Sequence, residues 1–104
     1  MIRVTFRTQG EHLCGYLITG HAGAGTAGED IVCAAVSSAA YMTANTITEI
    51  LKQPADITVD EGYMELTVTG DTAVCQATLS GFRLHIRALH EQYPKRVHLT
   101  NMEV

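Results

Sequence analysis

A histidine and a cysteine twelve positions apart, His21 and Cys33, carry the chemistry of this chain within the stretch Gly20 to Val36, GHAGAGTAGEDIVCAAV. A thiol attacks only as its thiolate, and a nearby imidazole or a helix N-terminus supplies that form at neutral pH. His21 ends an apolar alternating run, and a glycine-rich loop separates it from Cys33, so base and nucleophile stand on different elements. The residues around Cys33 point to the second device. Asp30 is a good N-cap, and Ile31 to Val36 then read as the first turns of a helix. Cys33 falls at N3, where backbone N–H groups lack partners and the positive helix end favours an anionic sulfur. Asp30 opposes that effect electrostatically, unless it caps the backbone or orients His21; both roles stay open.

The other sulfur and imidazole groups have plainer explanations. Cys75 lies on an apolar helical stripe and reads as a small core hydrophobe, while Cys14 sits in an alternating strand. His12, His85, His90 and His98 fall in a turn, on helix flanks and in a last strand. A zinc site from His12, Cys14, His21 and Cys33 matches no common ligand spacing, so no metal is expected. Gly23, Gly25 and Gly28 satisfy G-x-G-x-x-G between a strand and a helix, which raises a nucleotide- or partner-binding module as the alternative. Glu29 and Asp30 put negative charge where a pyrophosphate would sit, and hairpins replace the βαβ alternation of dinucleotide folds. Those glycines are better read as a mobile loop, or as backbone lying along an extended peptide, and no cofactor is expected.

Composition narrows the partner. The 104 residues are 46% hydrophobic and 17% charged, the balance of one globular domain spanning 1–104. A net charge of −4 with scattered basic residues argues against direct nucleic-acid binding and for a peptide or protein bearing basic groups. The chain shows neither a secretory signal nor an apolar stretch judged long enough for a bilayer. Three cysteines without C-x-x-C spacing indicate free thiols, and a reducing cytoplasm is the expected location.

The positioning elements follow from periodicity. Ile2, Val4 and Phe6 alternate with polar residues, Gln9-Gly10-Glu11 turns, and Leu13 to Thr19 alternates again, giving a hairpin. A helix is predicted from about Ile31 to Lys52, ended by Pro54 and rich in small residues at its start. A second hairpin turns at Asp60-Glu61-Gly62. Asp71 then caps a helix whose stripe Cys75, Leu79, Phe82, Ile86, Leu89 and Tyr93 repeats at four and three. Val97 and Leu99 begin a last strand. The order ββαββαβ predicts an α+β two-layer sandwich, with two helices on one face of a largely antiparallel sheet. The small-residue helix and the long stripe serve a core by default and a symmetric dimer as the other option.

The runs Gly20 to Gly23 and Asp30 to Ser37, with the gap between them, resemble the ribosomal-processing cysteine proteases called Prp, and the similarity extends along the chain. The resemblance implies a bacterial homodimeric enzyme that removes an N-terminal extension from a large-subunit ribosomal protein, cutting after an aromatic residue. It implies His21 as general base and Cys33 as nucleophile, with the loop carrying Gly23, Gly25 and Gly28 moving as substrate binds. The loop of this chain, Ala24 to Gly28, is small and uncharged where relatives often carry bulkier residues. In the combined mechanism, N–H groups at the helix start, that of Cys33 included, stabilise the oxyanion. Asp30 and Ser37 are supporting candidates, Ser37 lying one turn after Cys33.

Overall fold

The structure, a computed structural model, describes residues 1–20 and 27–104, with residues 27–30 as backbone alone. The elements run β1 (Ile2–Gln9), β2 (His12–Thr19), α1 (Ala27–Asn45), β3 (Ala55–Asp60), β4 (Tyr63–Val68), α2 (Gln76–Gln92) and β5 (Val97–Glu103). The five strands form one sheet in the order β3-β4-β2-β1-β5, antiparallel except for the β1–β5 pair, which is parallel. The predicted ββαββαβ sandwich is therefore the observed one, with a mixed sheet.

Register explains the single core. Val4 and Phe6 of β1 stand opposite Ile18 and Tyr16 of β2, and these stand opposite Met64 and Leu66 of β4. One face of the sheet is thus a continuous apolar surface, and both helices cover it. From α1 come Val32, Val36, Ala40 and Ala44; from α2 come Leu79, Phe82, Ile86 and Leu89. Phe82 meets the edges of Phe6 and Tyr16 at ring separations of 5.4 and 4.8 Å, geometry that adds to plain area burial. Tyr16 is fully enclosed, so its hydroxyl needs a partner; Oη donates to the Ala40 carbonyl at 2.8 Å and ties sheet to helix. Burial pushes the Tyr16 phenol up, well above its ordinary value.

The register of β1 and β2 slips between Arg7 and Thr8, so Arg7 faces Gly15 while Thr8 faces Leu13. The extra residue is Cys14, which the bulge removes from the predicted alternation. The Gln76 side chain secures this bulge, accepting from Leu13 N–H and donating to Leu13 C=O, each at 2.8 Å. Asp71 accepts from the Ala73 amide, as its predicted capping role requires, although the turn it opens is a 3-10 turn, Thr72–Cys75.

Two expectations about α1 are corrected. The helical run closes in a π turn, Thr46–Ile50, short of Lys52. The segment Ile31–Ile50, with mean hydropathy 1.2, is long and apolar enough to cross a bilayer by length and composition, contrary to the sequence reading. Its buried residues Val32, Val36, Ala40, Ala44 and Ile47 pack into the core, which accounts for much of that apolarity.

On the open face of the sheet Arg7 reaches Glu65 at 2.7 Å, and Gly15 lies in the strand between them. A Cβ at Gly15 would stand 2.1 Å from the Leu66 carbonyl oxygen, a backbone atom of the paired strand. Gly15→Ala therefore forces β2 and β4 apart and is expected to cost about 3 kcal/mol, the scale of an overpacked interior. A urea unfolding midpoint indistinguishable from wild type would refute this.

Candidate active site

Cys33 is half-buried on α1, one position round the helix from the core residue Val32. Its neighbours at four and eight residues, Ser37 and Tyr41, lie on the same face. These three side chains, with Val36, form the helical wall of a cavity of about 120 Å³. The opposite wall is the sheet: Ile2, Ile18 and Met64, then Val59 and Asp60 at its edge. The thiol thus opens into a largely apolar recess, with the hydroxyl-bearing residues Ser37 and Tyr41 in its wall.

The end of β2 is held at this recess. Gly20 lines the cavity, and its N–H donates to the Gly62 carbonyl in the β3–β4 turn at 3.0 Å. Its φ of 96° is a left-handed conformation, and a Cβ there would stand 2.2 Å from the Met1 carbonyl oxygen. The next residue in the chain is His21.

His21, Gly23 and Gly25 lie outside the described residues. Gly28 does not belong to a loop, because α1 already includes it. That early start overturns the expected capping arrangement. With α1 beginning at Ala27, Asp30 is its fourth residue and Cys33 its seventh. The Cys33 amide sits within the i→i−4 ladder and is not a free donor for an oxyanion, and the macrodipole weakens beyond the first turn. The physical reason is that Ala27 and Glu29 favour an N-terminal helical turn, alanine by propensity and glutamate by charge. Ser37 is brought to Cys33's cavity as expected. Tyr41, Val59 and Met64 were not anticipated; the i, i+4, i+8 series from Cys33 was the available signal for Tyr41.

The other described histidines are elsewhere. His12 bonds Thr72 through Nδ1 at 3.2 Å, and His90 bonds the Val97 carbonyl with its ring 6.0 Å from that of His98. Among the described residues no histidine, lysine or arginine lines the cavity. Among the described residues no group of three His, Cys, Asp or Glu side chains is placed to hold a metal.

The two other thiols are buried, Cys14 at 6% exposure and Cys75 at 0%. Burial pushes both above the ordinary thiol value; the Asp71 charge adds to this at Cys75, while the Arg7 charge partly offsets it at Cys14. A raised value means less thiolate at any given pH, so both resist alkylation further into alkaline solution. Iodoacetamide at neutral pH is expected to modify Cys33 at least about tenfold faster than Cys14 or Cys75, as read by peptide mapping. Equal rates at all three would contradict the assignment of Cys33 as the accessible thiol.

A family model described as cysteine protease Prp matches residues 1–98. Among solved structures, SMU.848 from Streptococcus mutans is similar at a TM-score of 0.93 and 32% identity, over 100% of this chain and 96% of that one. The ribosomal processing protease Prp from S. aureus, in complex with a substrate peptide, gives 0.86 and 25% over 97% and 99% of the two chains. The same S. aureus protein with a covalently linked product peptide gives 0.83 at 25% identity, again over 97% and 99%. No curated protein matches the chain at a significant level. With its half-buried thiol on the first long helix, its mixed five-stranded sheet and a match over nearly all its length, this chain belongs to the cysteine protease Prp family.

Proposed function

We propose that this protein is a cysteine endopeptidase that removes the N-terminal extension of a large-subunit ribosomal protein, with Cys33 as nucleophile and His21 as general base. The observation that carries the reading is the setting of Cys33: a half-buried thiol opening into an apolar cavity, while Cys14 and Cys75 are buried. The relative from S. aureus, a ribosomal processing protease crystallised with a substrate peptide and with a covalently linked product peptide, supports the same chemistry.

In the mechanism, His21 takes the Cys33 proton and the thiolate attacks the scissile carbonyl carbon. The tetrahedral intermediate collapses to a thioester as the C–N bond breaks, and the imidazolium returns the proton to the departing amine. Water, deprotonated by the same imidazole, then cleaves the thioester and regenerates the thiol. The apolar recess beside Cys33 receives the side chain that precedes the scissile bond. Ser37, in the lining, is a hydroxyl donor available to the carbonyl oxygen, a role the Cys33 amide loses by being inside the helix. The residues hold the whole reaction without a metal or cofactor.

The proposed assembly is a homodimer in a bacterial cytoplasm. A depression between α1 and α2, lined by small residues such as Ala35, Ala39 and Gly81 beside the exposed Met42, supports a helix-packed partner. The direct test is mass spectrometry of a peptide spanning the extension junction after incubation with the protein. Two products from cleavage of one peptide bond support the reading, and an intact peptide at high enzyme concentration rejects it.

A further inference from the structure

The cavity beside Cys33 does not end at the helix layer. By register, Ile57 and Val59 of β3 stand opposite Leu66 and Met64 and share the core-facing side of the sheet. Yet they are 41% and 51% exposed among the described residues, only partly covered by α1. Val59 lines the same cavity as Cys33, so the recess runs onto the outermost strand. Native proteins blunt such an edge with proline, bulges or charge; β3, ADITVD, has no proline, and both its charges, Asp56 and Asp60, are negative and on one row. Its helix-side row of Ala55, Ile57 and Val59 is apolar, while its other row carries Asp56 and Asp60.

That pattern selects an occupant. A second copy pairing antiparallel about Thr58 would set Asp56 opposite Asp60 at both ends, and like charges directly opposite destabilise a sheet. A strand with apolar residues on alternate positions and basic ones between them meets complementary rows on both faces. We propose that the substrate chain adds to the edge of β3 that no described strand pairs, as an extra extended strand. Its apolar side chains, two residues apart, lie over Val59 and Ile57, and its intervening basic side chains face Asp56 and Asp60. The active-centre reading supplies the cavity from which this track extends. Main-chain hydrogen bonds then give affinity and the alternating side chains give selection.

The test measures binding separately from turnover. A fluorescein-labelled peptide spanning the extension junction of the large-subunit ribosomal protein from the same genome is titrated with the Cys33→Ala protein, read by anisotropy. Two further peptides are N-methylated at alternate amides, one in each register. Only one register points its N–H groups at the edge, so methylation there is expected to weaken binding about tenfold and the other to be spared. Ile57→Lys, a change at an exposed side chain, is expected to weaken the unmodified peptide about tenfold, placing a cation against an apolar partner. Equal sensitivity of both registers, unchanged affinity in Ile57→Lys, or no binding at all would overturn strand addition. Binding with these signatures but no cleavage by wild-type protein would instead remove the peptidase reading and leave the track in place.

Discussion

Cys33→Ala is expected to abolish processing of the extension peptide, lowering the rate by about 10⁴-fold or more, the scale on which a catalytic nucleophile is lost. The fold should survive. Cys33 is half-buried and packs at the margin of the core cluster, so removing its sulfur leaves no enclosed void. A thermal midpoint within a few degrees of wild type accompanies the lost activity. Cys33→Ser is expected to fail as well, because a hydroxyl is a far weaker nucleophile at neutral pH. A module that only binds would tolerate the serine, which makes this variant the discriminating one. His21→Ala is expected to lower the rate by about 10²- to 10⁴-fold, the usual contribution of a general base. It should also shift the rising limb of the pH profile to alkaline values, since the thiol must then ionise unaided. Groups that act as a unit are non-additive, so for the proposed dyad the double variant should be no worse than Cys33→Ala alone. Full processing by Cys33→Ser or Cys33→Ala would end the assignment.

Much of this architecture is written in local patterns. The hairpin turns, the strand alternation and the stripe from Cys75 to Leu89 all appear where periodicity puts them, and the stripe is buried throughout. Cys75 is in the core for the reason its spacing implied. One error is local, and the features that could not be read have origins that are not. Asp30 looks like a cap, yet the helix begins earlier because Ala27 and Glu29 also favour helix. Pairing of β5 with β1 is a choice between chain segments far apart, and no residue in Val97–Glu103 specifies a parallel partner. The bulge at Cys14 and the steric need for Gly15 arise only when β2 is placed against β1 and β4. For the site, Cys33 and Ser37 were visible because their types carry chemistry. Val59 and Met64, apolar and on another element, become part of the cavity only through the fold.

Gly20→Ala is the second variant with a large expected effect, and it separates positioning from chemistry. The residue combines a φ of 96° with a Cβ position 2.2 Å from the Met1 carbonyl oxygen. A left-handed backbone costs an L-residue about 1–2 kcal/mol, and the collision displaces either Met1 or the end of β2. Ile2, the neighbour of Met1, is buried in the core and pairs with Val97, so β1 resists the shift and the end of β2 yields. Its hydrogen bond to Gly62 is then strained or lost. His21, the proposed base, is the next residue in the chain, so a displacement of about 1 Å is expected to pass to it, and misplacement on that scale costs about 10²-fold in rate. The expected result is thus a stability loss of about 2–4 kcal/mol and a fall in kcat of about 10²-fold, measured in the temperature range where the variant is folded. Alkylation of Cys33 should continue, because α1 and the thiol do not depend on Gly20. A Gly20→Ala protein that is destabilised yet keeps wild-type kcat would show that the end of β2 does not position the base.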